Sequence, residues 1–188
     1  MGTLCVMQIK IPINMNTTFQ RAGEVLIKCI WIEKRLIDLI LLKHYPNLKD
    51  EFNEGSISPM HGELRLEWHK NTFSYVIDKF LPEFPEIKEK DERHIENILF
   101  LNEIRDLISH CDISYNRENL LFVAKNVKRL EKMDNITFPN HSGHDDGTRC
   151  LNLNDEKTYS AIASIISDWE KIIESYANYF GVDSQKIW

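Results

Sequence analysis

Apolar residues recur at helical spacing in five stretches of this chain. The first stretch follows Asn16 and ends before Pro46, and Thr17 or Thr18 is placed to cap it. The other four cover about residues 63–80, 87–110, 117–133 and 155–180, and Gly181 is a natural stop for the last. Residues 3–13 have short β-like character. The pattern predicts an all-α, up-and-down bundle of about five helices.

Two segments between these helices lack the pattern. The stretch KDEFNEGSISPMHG is rich in helix-breaking residues and predicts a linker after the first helix. Residues 135–153, which include NITFPNHSGHDDGTRCLN, show no helical periodicity. They predict a long exposed loop.

Composition limits the class of protein. With 188 residues and 43% hydrophobic content, residues 1–188 are expected to form a single domain. The net charge of −6 repels polyanions as a whole, so any contact with nucleic acid has to be local. The four cysteines have no CxxC spacing, and the chain starts without a basic, apolar leader. We therefore expect reduced thiols, no membrane span and a cytoplasmic location.

The C-terminal half of the third predicted helix, within LNEIRDLISHCD, has two distinct arcs at about 100° per residue. The apolar arc consists of Phe100, Leu101, Ile104, Leu107 and Ile108. The opposite, polar arc consists of Asn102, Arg105, Asp106, Ser109 and His110. Upstream, Ile95, Ile98 and Leu99 make the helix apolar nearly all round. Such a surface needs a partner, which is either another helix or a second copy of the chain.

Arg105 and His110 on the polar arc have two interpretations. They are either a solvated last turn, where cations complement the helix dipole, or part of an active site. An imidazole titrates near neutral pH and accepts protons, whereas a guanidinium matches phosphate oxygens. Asp106, one turn before His110, is placed to orient the imidazole. Asn102 either helps to hold a phosphate or is solvated.

The segment RDLISH resembles the R-x4-6-H motif of the HEPN superfamily, in which a polar residue usually follows the arginine, as Asp106 does here. The long first helix, with IEKRLIDLILL, is similar to the opening of these helical bundles. The resemblance covers about residues 17–135. Members that a partner nucleotidyltransferase silences often carry H-x-Y, but here Tyr115 lies five residues beyond His110, so regulation by tyrosine adenylylation is not expected.

The resemblance implies a ribonuclease that needs no metal or other cofactor and acts in a toxin or anti-phage defence system. It also implies a homodimer, in which a twofold axis brings two copies of Arg105 and His110 into one cleft. Ile95, Ile98 and Leu99 would then form the interface. RNA is the expected substrate, and an antitoxin or a defence-system protein is a further partner. The alternative is a non-catalytic HEPN-like module that binds a partner protein or a nucleotide.

Three further features have two interpretations each. Glu33 falls within the apolar arc of the first helix and needs a partner, which is either a basic residue near the site or a structural hydrogen bond. The stripe Lys125, Lys128, Arg129 and Lys132 either follows an RNA backbone or is a solvated helix face. Cys111 follows His110 directly, but no second histidine is arranged to activate it as a nucleophile.

The predicted loop also carries side chains that bind transition metals. These are His141, His144, Asp145, Asp146 and Cys150. Their spacing matches no metal motif, so no metal site is predicted. A mobile or substrate-facing flap is the expected role of this loop.

Overall fold

The computed structural model describes residues 13–113, 119–123, 136 and 148–183. The helices within these ranges are α1 (Ile13–His44), α2 (Leu48–Glu54), α3 (Pro59–His69), α4 (Phe73–Glu83), α5 (Glu86–Lys90), α6 (Arg93–His110) and α7 (Glu156–Tyr179). The strands are β1 (Asp112–Ile113), β2 (Leu120–Val123) and β3 (Thr148–Leu151). The prediction of a helical bundle is confirmed, and a small sheet is added to it.

The first helix is confirmed, although it begins earlier than predicted. Because α1 begins at Ile13, neither threonine caps it. Thr18 is instead buried, and its hydroxyl accepts a hydrogen bond of 2.8 Å from Asn154. Lys43 and His44 lie in the last turn, where positive charge is favourable. The predicted β-like segment falls almost entirely outside the described residues.

The next two predicted helices are each divided in two. Ser58 caps α3 and Thr72 caps α4, each by accepting a hydrogen bond from a backbone N–H three residues further on. Asp91 separates α5 from α6, and its carboxylate accepts a hydrogen bond of 2.9 Å from the N–H of Arg93. The predicted linker was also wrong in part, because it contains all of α2 after Leu48 and the start of α3.

The predicted fourth helix was wrong where the structure describes it. Residues 120–123 form β2, which pairs antiparallel with β1 on one side and β3 on the other. The predicted exposed loop was also wrong in part, because β3 lies within it and buries Cys150 and Leu151. The sheet forms because Leu120 pairs with Leu151 and Val123 with Thr148, contacts between distant parts of the sequence.

Helix α6 packs within the bundle and contacts α1, α4, α5, α7 and β2. The largest fully buried side chains include the aromatic residues Phe52, Phe73, Phe80, Phe100 and Trp169. Because α6 has neighbours on several sides, Ile98 and Phe100 in its upstream half are fully buried within one chain. Of the two partners considered for this apolar surface, Ile98 has the first, which is other helices of the same chain.

The last helix, α7, confirms the fifth predicted helix. Its apolar stripe includes Ile162, Ile166, Trp169 and Ile173, all buried at helical spacing. Gly181 ends it with a positive φ of 71°, a conformation that side chains with a Cβ rarely adopt. The expected stop at this glycine is confirmed.

Asp155 at the start of α7 should make stability depend on acid pH. Its carboxylate accepts hydrogen bonds from the N–H and the hydroxyl of Thr158, which lower its pKa below the ordinary value of 3.8. A lowered pKa stabilises the folded chain above the ordinary value, and this contribution is lost as the pH falls through the lowered pKa. We expect Asp155→Asn to keep the cap but to lose the pH dependence that the carboxyl group gives. Asp155→Ala should lose both the cap and this pH dependence. Thermal melts of the wild type and both variants between pH 7 and pH 3 measure this, and a wild type whose melting temperature falls with pH no more than that of Asp155→Asn would contradict it.

Candidate functional site

The last turns of α6, directly before the sheet, carry the candidate residues Arg105, Asp106 and His110. The backbone carbonyl of Arg105 accepts a hydrogen bond of 2.8 Å from the hydroxyl of Ser109. After His110 the chain leaves the helix at Cys111 and enters β1, which pairs with β2. The sheet therefore fixes the direction in which the chain leaves this end of α6.

The guanidinium of Arg105 lies between two carboxylates. Its Nη2 is 3.3 Å from an oxygen of Glu33 on α1, and its Nη1 is 3.4 Å from an oxygen of Asp106. The Glu33 side chain is 4% exposed, that of Asp106 is 54% exposed, and that of Arg105 is 26% exposed. The partner of Glu33 is thus a basic residue of the candidate site, which is one of the two alternatives considered from the sequence.

Arg105 also acts on the core next to Glu33. Burial raises the pKa of the Cys29 thiol to about 12, and the positive charge of Arg105 acts in the opposite direction. Cys29 lies one turn before Glu33 on α1, and its thiol donates to the backbone carbonyl of Leu101. The side of α1 that faces α6 therefore combines a neutral thiol with a paired carboxylate.

His110 is exposed at the last position of α6. No hydrogen bond or ion pair joins it to Asp106 or to another residue that the structure describes. Asp106, which the sequence assigned to orienting the imidazole, contacts Arg105 instead. The exposure of His110 leaves its imidazole open to contact with a ligand.

Two expectations about α6 need correction. Asn102 was expected on the polar arc facing a ligand or solvent, but it is only 7% exposed because neighbouring helices cover it. Ile98 was expected at a dimer interface, but it is fully buried in the core of one chain. Leu99 is partly buried against the same core, and Ile95 keeps intermediate exposure.

Several other sequence candidates lie outside the described residues. These are Lys125, Lys128, Arg129 and Lys132 of the basic stripe, and His141, His144, Asp145 and Asp146 of the predicted loop. Cys150 is described and lies buried in β3. Within the described ranges, no group of three or more His, Cys, Asp or Glu side chains is arranged to hold a metal ion.

Cys111 has the properties of a structural thiol. Its Sγ donates a hydrogen bond of 3.3 Å to the backbone carbonyl of Ile108, and partial burial raises its pKa. A raised pKa lowers the fraction of reactive thiolate. Its proximity to His110 in sequence is therefore not accompanied by activation.

No family model, no curated protein and no solved structure matches this chain. Among the helices that the structure describes, none combines the length and apolar character that crossing a membrane requires.

A second ionic cluster, which the sequence analysis missed, joins α1 to α3. Asp38 is fully buried, and its carboxylate lies 3.0 Å from Arg35 and 3.0 Å from Arg65. Burial raises the pKa of Asp38 to about 7, and the charges of Arg65 and Arg35 oppose that rise. Because both arginines are committed to Asp38, the cluster serves to fix α3 against α1.

A cavity of about 610 Å³ lies away from Arg105 and His110. Aromatic side chains of α7 and of the turn after α4 line it, among them Phe84, Tyr176 and Tyr179. The Tyr176 hydroxyl donates a hydrogen bond of 2.8 Å to Glu86. Burial and this carboxylate raise the pKa of Tyr176, so it stays a neutral phenol.

Proposed function

We propose that this chain is a metal-independent endoribonuclease of a toxin or anti-phage defence system, which cleaves RNA through Arg105 and His110. The observation that carries the proposal is the state of these two side chains. Arg105 is held at the edge of the core by the buried carboxylate of Glu33. His110 is exposed five residues further along the same helix. A fixed cation and an exposed imidazole are the two groups that the reaction requires.

The chemistry uses the nucleophile that RNA itself contains. His110 accepts the proton of the 2′-hydroxyl while that oxygen attacks the adjacent phosphorus. The new bond joins the 2′-oxygen to phosphorus, and the bond from phosphorus to the 5′-oxygen breaks. Arg105 stabilises the negative charge that develops on the phosphate oxygens. The leaving 5′-oxygen takes up a proton from water, which gives a 2′,3′-cyclic phosphate and a 5′-hydroxyl.

A homodimer remains part of the proposal, with a smaller interface than the sequence suggested. Since Ile98 is buried within one chain, only Ile95 and Leu99 of the three named residues retain surface on α6. Two copies of the site brought together there would place two Arg105 and two His110 side chains beside one RNA strand. An antitoxin or a defence-system protein would be a further partner.

The interface can be tested without damage to the core. Ile95→Glu should convert the dimer to a folded monomer, because it places a charge on a surface that pairs with its own copy. Ile98→Glu should instead unfold the chain, since it buries an unpaired carboxylate. Light scattering measures the mass, and circular dichroism shows which variant is folded. A folded Ile95→Glu dimer would exclude this surface as the interface.

One observation favours a second candidate, the non-catalytic HEPN-like module that binds a partner protein or a nucleotide. Both carboxylates beside Arg105 belong to the same chain, so its charge is already neutralised within the monomer. A purely structural arginine would have this environment.

The experiment that separates the two candidates uses the purified wild-type chain, total RNA and an excess of EDTA. The ribonuclease should cut the RNA and leave ends that carry cyclic phosphate and 5′-hydroxyl groups. If the chain is a toxin, its expression should also arrest growth. Intact RNA, or cleavage that requires added zinc or magnesium, would contradict the proposal.

A further inference from the structure

We infer that the two carboxylates beside Arg105 have opposite roles: Glu33 is a positioning residue that holds the guanidinium, and Asp106 occupies the place of the substrate phosphate until RNA displaces it. The inference rests on the proposed function, and it adds a residue of α1 to the site. It also replaces the role that the sequence suggested for Asp106. The two oxygens lie at nearly equal distances, 3.3 Å and 3.4 Å, so distance does not distinguish them. Burial does.

Glu33 has the environment of a fixed partner. Its side chain is 4% exposed, and the flanking residues Ile32 and Leu36 on α1 are fully buried. The backbone at this point is therefore held by the core. Little water reaches a charge in such surroundings, so the charge is weakly screened. Water therefore does not readily replace Arg105 as the partner of Glu33. The ion pair with Arg105 fixes Nη2 relative to α1.

Asp106 has the environment of an exchangeable partner. Its side chain is 54% exposed, and it follows Arg105 directly on the surface of α6. An exposed ion pair is screened and contributes little free energy. Rotation of the Asp106 side chain into water can release Nη1 without moving the backbone.

The charge balance requires this release. Arg105 faces two carboxylates, so these three side chains together carry a net negative charge of about one unit, which repels a phosphate. A phosphate oxygen that binds Nη1 competes with the Asp106 oxygen for the same guanidinium. Loss of Asp106 from the guanidinium restores a neutral Glu33–Arg105 pair with one free edge for the substrate.

Matched neutral substitutions separate the two roles. In Glu33→Gln the guanidinium loses its anchor, so we expect kcat to fall about 10- to 100-fold with little change in KM. In Asp106→Asn the competing charge is removed, so we expect KM to fall about 2- to 5-fold with kcat kept. Glu33→Asp keeps the charge but shortens the reach, and its kcat should lie between those of the wild type and Glu33→Gln. Rates are measured on one single-stranded RNA in EDTA, below the melting temperature of every variant.

Equal effects of Glu33→Gln and Asp106→Asn would overturn the inference. So would a wild-type kcat in both Glu33 variants. A KM that rises in Asp106→Asn would also overturn it, because the carboxylate would then assist binding instead of competing with the phosphate.

A measurement that needs no activity separates this inference from the proposed function. The Nε atom of Arg105 is buried, so its N–H should exchange slowly with water and give an NMR signal that is assigned by its loss in Arg105→Lys. We expect Glu33→Gln to speed the exchange at least about 10-fold and Asp106→Asn to leave it near the wild-type rate. Unchanged exchange in Glu33→Gln would overturn the positioning role even if the chain cuts RNA. An RNA-inactive wild type with the expected exchange pattern would overturn the ribonuclease alone.

Discussion

Replacement of His110 or Arg105 by Ala is expected to lower the rate of RNA cleavage in EDTA at least about 100-fold for each variant. His110→Ala removes the proton acceptor, and Arg105→Ala removes the charge that stabilises the phosphate. The double variant should lose little more than either single variant, because the two groups act on one transition state. The measurement is the initial rate on a labelled single-stranded RNA.

The matched control for the histidine is His44→Ala. His44 is also an exposed histidine in the last turn of a helix, and its nearest acidic partner is Glu83 at 3.3 Å. This variant should cleave at the wild-type rate. Activity that survives in both single variants at Arg105 and His110 would exclude these residues from the chemistry.

Arg105→Ala should also destabilise the fold, by about 3–5 kcal/mol of unfolding free energy. The physical reason is Glu33, which would be left as a buried carboxylate without its partner. The double substitution Glu33→Gln with Arg105→Ala should recover much of the loss, since an uncharged amide costs less to bury. Urea denaturation of the single and double variants measures both effects. Cleavage by Arg105→Ala is therefore assayed at a temperature where this variant is folded.

A surface arginine provides the control for this second prediction. Arg93 is 82% exposed and pairs with Asp91. Because water replaces an exposed partner at little cost, Arg93→Ala should change the unfolding free energy only slightly. If Arg105→Ala is as stable as the wild type, the Glu33–Arg105 pair does not hold α1 to α6.

Local patterns were sufficient to predict the long helices. The buried stripe of α7 repeats within one element, and Gly181 ends it through its own backbone conformation. The breaks within residues 58–93 also had local signals, because Ser58, Thr72 and Asp91 all accept hydrogen bonds from nearby backbone N–H groups. Apolar periodicity that runs across a capping residue hides such a break.

The sheet could not be predicted from local patterns. The sequence LLFV at residues 120–123 fits a helix as well as a strand, and its choice depends on pairing with residues 148–151 across a long connection. Without knowledge of this pairing, the apolar spacing of residues 117–133 predicts a helix. The same pairing buries Cys150, which the sequence placed in an exposed loop.

For the site, the spacing of Arg105 and His110 placed both residues near the end of one helix, and the structure agrees. The partner of Arg105 depended on how α1 packs against α6, which no local pattern specifies. Glu33 could be recognised only as a carboxylate in need of a partner. The burial of Asn102 and Ile98 has the same origin, since both follow from the central position of α6 among its neighbours.

The most direct test of the account compares an RNA oligonucleotide with a DNA oligonucleotide of the same sequence, both incubated with the wild-type chain in excess EDTA. The reaction proposed here begins at the 2′-hydroxyl, so RNA should be cut to a 2′,3′-cyclic phosphate while DNA stays intact. A chimeric strand with a single ribonucleotide should be cut only after that nucleotide, provided that the flanking DNA does not prevent binding in a parallel affinity measurement. Cleavage of the DNA at the same rate, or no cleavage of RNA until a metal ion is added, would contradict the central claim.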